Sequence, residues 1–238
     1  MKICLLTSQN DRTLPQMRGF LRGMLSHIAD GDTLRVRKNL PHDTADILVV
    51  SAMTSHPEIA LPLCREASRM RARGVFLDSK NPPDAEFSAS LANHGLTLFT
   101  PFSGSLPKDV IPVIEASVSG GSLAEYFEEI SSRTPRFAVS VSPSSYEFSL
   151  PCESGSDLPL SPQSLSRLLL RFNPDVFFSP QLYFKYFMYE PSPGRVNLVL
   201  FDDAETISHK LRLAKKHGAS HAFLVWEEVA DIFDEIFF

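Results

Sequence analysis

The sequence predicts a parallel α/β protein closed into one barrel of the (βα)8 type, and three observations carry that reading. Short apolar runs of strand length alternate with longer segments whose apolar residues recur at helical spacing. One of those runs, Asp46 to Ala52 (DILVVSA), is apolar almost throughout, as expected of a parallel strand covered on both faces. The 238 residues show neither a linker nor an internal repeat, so a single compact domain over 1–238 is the economical arrangement.

Taken in order, Lys2 to Ser8 reads as a short buried strand ended by the polar run Gln9 to Thr13. Pro15 suits a first helical turn, and Met17, Phe20, Leu21, Met24, Leu25 and Ile28 predict a helix after it. Asp30-Gly31-Asp32 is a turn, Thr33 to Arg37 a strand, and Asn39 to Thr44 a loop. The irregular stretch between Arg37 and Asp46 is where a barrel helix is expected to be missing. A helix from about Glu58, with Ile59, Leu63, Ala67 and Met70 on one stripe, leads into the strand Gly74 to Lys80. Ala85 to Asn93 is helical, followed by strands at Leu96 to Phe102 and Ile111 to Ala116. Ser122 and Glu125 make a capping-box pattern for the next helix. Phe137 to Val141 is a strand, and a helix starts at Ser161-Pro162. Phe177 to Tyr189 is dense in aromatics, which suits either a small subdomain core or a sugar-stacking wall. Val196 to Phe201 is a strand, Ala204 to His217 a helix closed by Gly218, His221 to Trp226 the last strand, and Val229 to Phe238 the last helix.

Composition narrows the function classes. A net charge of −5 with no basic cluster argues against nucleic acid. No apolar run reaches the length of a membrane span, and the one after Met1 is too short for a signal peptide, so a cytoplasmic protein is expected. Cys4, Cys64 and Cys152 lack metal-ligand spacing, as do the seven histidines, and no glycine-rich phosphate loop follows the first strand. No metal and no cofactor are expected.

The segment Gly74-Val75-Phe76-Leu77-Asp78-Ser79-Lys80 draws the functional reading. Strand alternation puts Phe76, Asp78 and Lys80 on one face, at the strand end where α/β barrels keep their chemistry. Asp78 and Lys80 are expected to point into the barrel mouth and pair there. Glu115 and Glu227 fall at other strand ends, although Glu227 and Glu228 equally suit the start of a helix, where acids complement the dipole.

The stretch Arg195 to Trp226 resembles the end of family 18 glycoside hydrolases, the chitinase-like barrels, and is closest to the branch linked to spore cortex and peptidoglycan. The resemblance rests on Phe201-Asp202, Ile207 and Lys210 at the last crossover helix and on the strand-terminal Trp226. Tyr146-Glu147-Phe148-Ser149-Leu150-Pro151 is similar to the aromatic segment after that branch's seventh strand. It implies a TIM barrel with Trp226 lining a sugar site. It also implies that the outer aspartate of the family's fourth-strand motif falls on Phe76, the inner one on Asp78, and the proton-donating glutamate on Lys80. The family tyrosine falls on Ser144, with Tyr146 nearby. An ammonium beside a carboxylate holds its proton, so hydrolysis by this set is disfavoured. Three readings stay open: a catalytically degenerate barrel binding an amino-sugar or another small ligand, an active glycosidase using Asp78 with Glu115 or Glu227, and a scaffold for a protein partner.

Overall fold

The computed structural model describes residues 1–8, 19–30, 33–36, 44–52, 57–101, 104–118, 120–151 and 158–238. Gln9 to Thr13, the helix start at Pro15, the glycine of the Asp30 turn, the Arg37 to Asp46 gap over 37–43, His42, His56 and Cys152 lie wholly or largely outside them.

The first half runs β1 (Lys2–Thr7), β2 (Phe20–Asp30), β3 (Thr33–Val36), β4 (Ile47–Ala52), α1 (Ala60–Met70), β5 (Gly74–Asp78), α2 (Ala85–Asn93), β6 (Thr97–Pro101), β7 (Val110–Glu115), α3 (Leu123–Arg133) and β8 (Ala138–Ser140). Then come β9 (Ser145–Leu150), β10 (Leu158–Pro159), α4 (Pro162–Phe172), β11 (Phe177–Ser179), β12 (Phe184–Ser192), β13 (Arg195–Phe201), α5 (Ala204–Lys216), β14 (His221–Val225), α6 (Trp226–Val229) and α7 (Phe233–Phe237).

Eight of these strands close a parallel barrel in the order β1-β14-β8-β7-β6-β5-β4-β2, with β2 returning to pair with β1. The fold is a TIM barrel, but its second strand is where a helix is expected. Phe20 to Ile28 carries apolar residues at helical spacing, yet a barrel strand is covered on both faces and needs no strict alternation. Gly23 shows why this segment is a strand: a Cβ there would lie 2.3 Å from the Leu6 side chain and 3.2 Å from the Cys4 sulfur. Thr33–Val36 is a strand as expected, but it pairs antiparallel on β2 outside the closed ring. Arg195–Phe201 is also a strand outside the barrel.

The barrel interior is filled by Cys4, Leu6, Ile47, Val49, Phe76, Phe99, Ile111, Val113, Ala138 and Phe223. Phe76 and Phe99 meet Phe223 with ring centroids 5.0 and 5.1 Å away, so the lumen is packed aromatic core rather than a channel. Two outer clusters join the strands to the helices, one around Leu63, Phe87 and Leu98 and the other around Phe127, Ile207 and Phe233. Cys4 and Cys64 are buried free thiols, and burial pushes both up from the ordinary range, which keeps them unreactive.

Between β8 and α5 the chain builds a five-stranded antiparallel sheet, β10-β9-β13-β12-β11. Leu165, Leu168 and Leu169 of α4 cover one face, against Phe187, Val199 and Phe201. Register puts Tyr146, Phe148 and Leu150 of β9 beside Leu200, Leu198 and Val196 of β13. Tyr186 and Phe177 lie opposite each other on the neighbouring strands. All of these side chains are half-buried or exposed, so this second face is apolar and open.

Candidate functional site

The C-terminal ends of the barrel strands bring together some of the residues singled out above. Along β5 the inward positions are Gly74, Phe76 and Asp78, and the burial changes at Asp78: Phe76 is sealed in the lumen while Asp78 is exposed. Ser51, its partner on β4, directs its Oγ to Asp78 Oδ2 in a long 3.5 Å contact. Glu115 ends β7 beside Ser140 and is also exposed. Phe76 pairs with Phe99, which levels Asp78 with Pro101, and Pro101 pairs with Val113. Glu115 therefore stands one inward layer above Asp78, two strands away, a separation of roughly 10 Å from strand spacing alone. Burial and then the Glu115 charge push the Tyr126 phenol up, so the field of Glu115 reaches α3.

Lys80 does not complete the expected pair. β5 ends at Asp78, the chain bends at Lys80, and the alternation that would have returned its side chain to the Asp78 face no longer applies. Lys80 is exposed and, among the described residues, forms no ion pair with Asp78.

Glu227 has a definite structural role. Its Oε1 accepts from the Thr7 hydroxyl at 3.0 Å, the Ser8 amide at 2.9 Å and the Ser8 hydroxyl at 3.2 Å, tying the first barrel strand to the last at the mouth. Partial burial opposes its ionisation, but these donors and its own amide prevail and hold it below the usual carboxylate range. A carboxylate so held is a poor proton donor at neutral pH. It also lies in the first turn of α6, as the helix-start reading expects.

The other predicted residues have structural surroundings of their own. Trp226 is 6 % exposed and packs edge-on against Phe233 at 5.3 Å within the outer core, leaving little ring surface for a ligand. Phe76 lies in the lumen beneath Asp78. The Ser144 amide donates to Asp202 Oδ2 at 3.2 Å, and its carbonyl accepts the Asp202 amide at 2.8 Å. Tyr146 is half-buried on the open face of the antiparallel sheet.

Asp202 and Lys210 form a buried ion pair at this junction. Lys210 Nζ lies 2.8 Å from the Asp202 carboxylate and 3.6 Å from the centre of the Phe184 ring, with both charged side chains sealed. Thr206 Oγ1 also donates to Asp202 at 2.8 Å. Burial pushes Asp202 up and Lys210 down, and their mutual attraction opposes both shifts. The pair joins the antiparallel insertion to the barrel. The alternation of Tyr146, Phe148 and Leu150 with Leu200, Leu198 and Val196 is legible in the sequence, but only the register shows that they share one face.

Among the described residues no group of three or more His, Cys, Asp and Glu side chains is placed to hold a metal ion. Among them also, no helix is long and apolar enough to cross a membrane.

No protein-family model matches the chain, and no curated protein matches it. Solved structures do. The spore cortex-lytic enzyme SleL of Bacillus cereus is similar with a TM-score of 0.68 at 16% identity, over 100% of this chain and 74% of that one. A glycoside hydrolase family 18 N-acetylglucosaminidase from Paenibacillus barengoltzii has a TM-score of 0.65 at 10% identity, covering 98% of this chain and 97% of its own. A mutant class V chitinase from Nicotiana tobaccum, solved in complex with NAG4, has a TM-score of 0.58 at 11% identity, over 99% and 98%. The eight-stranded barrel with its antiparallel insertion before the last helix and strand is thus the chitinase-like fold of glycoside hydrolase family 18.

Proposed function

We propose that this barrel binds an N-acetylamino-sugar oligosaccharide at its mouth and is catalytically degenerate. The observation that carries the reading is the end of β5, where Asp78 faces solvent and the residue two places on is Lys80 rather than a carboxylic acid. Leaving-group protonation by a positioned acid contributes about 10²–10⁴-fold to a glycosidase. Neither Glu227 nor Glu115 suits that task beside Asp78: Glu227 is held ionised by Thr7 and Ser8, and Glu115 stands on β7 with β6 between. The similar structures include a chitinase solved with NAG4, which supports the choice of ligand class. The open sheet face bearing Tyr146, Phe148 and Tyr186 adds an apolar surface of the kind on which sugar rings stack. Asp78 would accept hydrogen bonds from the sugar, and Glu115 would border the site.

Calorimetric titration with N-acetylchitotetraose, alongside a reducing-end assay, tests this. Wild type is expected to bind without appreciable turnover, and Asp78→Ala to bind about tenfold or more weakly, the scale of a hydrogen bond to a charged group. Lys80→Glu puts a carboxyl group two residues past Asp78 in the chain and is expected to bind with at most weak turnover. Robust wild-type turnover abolished by Asp78→Ala would establish an active glycosidase using Asp78 with Glu115 or Glu227. Absence of binding in every variant would turn the reading to a protein-partner scaffold.

A further inference from the structure

At the opposite end of the barrel, a cavity of about 390 Å³ lies between the loop before β7 and the turn between α3 and β8. That volume is within the range of small-molecule sites. Pro107, Pro112 and Pro135 line it, together with the cations of Lys108, Arg133 and Arg136. The proline walls are rigid and offer no N–H donors, so polar recognition there falls to the side chains at the rim. Among the described residues neither Lys108 nor Arg136 has an acidic partner. Arg133 meets Glu129 at 2.9 Å, but both are largely exposed, and such a helical pair is weak enough to be shared with an incoming anion. His221 opens β14 beside Ala138, near Arg136. Burial, then the charges of Lys2, the N-terminus and Arg136, hold it down to about 4, so it is neutral at pH 7. In a chain of net charge −5, Lys108 and Arg136 are thus two cations at the rim of this pocket without an acidic partner among the described residues.

We infer that this basal pocket is a second binding site, for a small phosphate monoester carrying an apolar group, its phosphate held by Arg136, Lys108 and Arg133 and its apolar part seated on the prolines. A dianionic phosphate matches clustered cations better than a single carboxylate, and an arginine fork engages its oxygens in pairs. The proposal is independent of the mouth.

Phenyl phosphate, inorganic phosphate and benzoate, each titrated into the full chain at low ionic strength, test it. Phenyl phosphate is expected to bind most tightly and to weaken as salt is raised. Arg136→Gln and Lys108→Gln, both at exposed positions, are each expected to weaken it about tenfold with unfolding temperatures unchanged. Asp78→Ala, at the other end, is expected to leave it unaltered. No binding of phenyl phosphate, or equal binding to both rim variants and wild type, would overturn the site. Inorganic phosphate or benzoate binding as tightly as phenyl phosphate would overturn the assigned ligand class.

Discussion

Two aspartate–lysine combinations in this chain have opposite fates. Asp78 and Lys80 are two residues apart at a strand end, and they stay exposed and, among the described residues, form no ion pair with each other. Asp202 and Lys210 are separated by a capped loop and two turns of helix, yet they meet at 2.8 Å with both side chains sealed. Proximity in sequence did little because a strand end opening to water leaves both charges solvated, and a surface pair gains at most about 1 kcal/mol against that. The buried pair has no such alternative. Asp203 and Thr206 cap α5 reciprocally, which sets the helix on the end of β13. Lys210, two turns on, is thereby brought back beneath Phe184 to Asp202. The lesson is that a charge pair forms where the fold removes water, whatever the spacing along the chain.

The largest expected effect comes from breaking the buried pair. Lys210→Met leaves the Asp202 carboxylate sealed with only Thr206 and the Ser144 amide, and should cost about 3–5 kcal/mol in urea unfolding. Removing both charges with Asp202→Leu and Lys210→Met should recover most of that loss. A double variant as unstable as the single one would show that the pair's geometry, not its unpaired charge, is what matters.

Glu227 is intermediate between the two cases, a carboxylate at the surface but tied by three donors. Its folded-state pKa is depressed, so its contribution is present above the unfolded value near 4.3 and is lost as pH falls through the folded one. Wild type should therefore melt above Glu227→Gln at pH 7, and the gap should close on acidification below about pH 4. A gap independent of pH would assign the difference to something other than the carboxylate.

The smallest effect is expected at the open pair. Asp78→Ala and Lys80→Ala should each change stability by less than about 0.5 kcal/mol, the usual range for surface positions. A cost above 1.5 kcal/mol at either would place an unseen partner there.

Much of the architecture was legible before any coordinates. The apolar runs from Lys2, Asp46, Gly74, Leu96, Ile111, Phe137 and His221 are seven of the eight barrel strands, because a parallel strand buried on both faces must be written in apolar residues. The stripe of Leu63, Ala67 and Met70 and the caps at Ser122 and Asp203 mark helices by local chemistry alone. The second barrel strand was not legible: Phe20 to Ile28 carries helical spacing, and it is Leu6 and Cys4, from another strand, that require the bare backbone of Gly23.

At the site the division is similar. Alternation along β5 places Asp78 at the mouth, and the sequence alone shows that a lysine, not an acid, follows two residues later. The tertiary structure decided the rest. It ended β5 at Asp78 and so released Lys80 to solvent, turned the Trp226 ring onto Phe233, bound Glu227 to the first strand, and joined Asp202 to Lys210. Local patterns report which face a residue occupies, since that depends on its neighbours in the chain. Which charges are buried together depends on elements distant in sequence, and those meet only when the barrel closes.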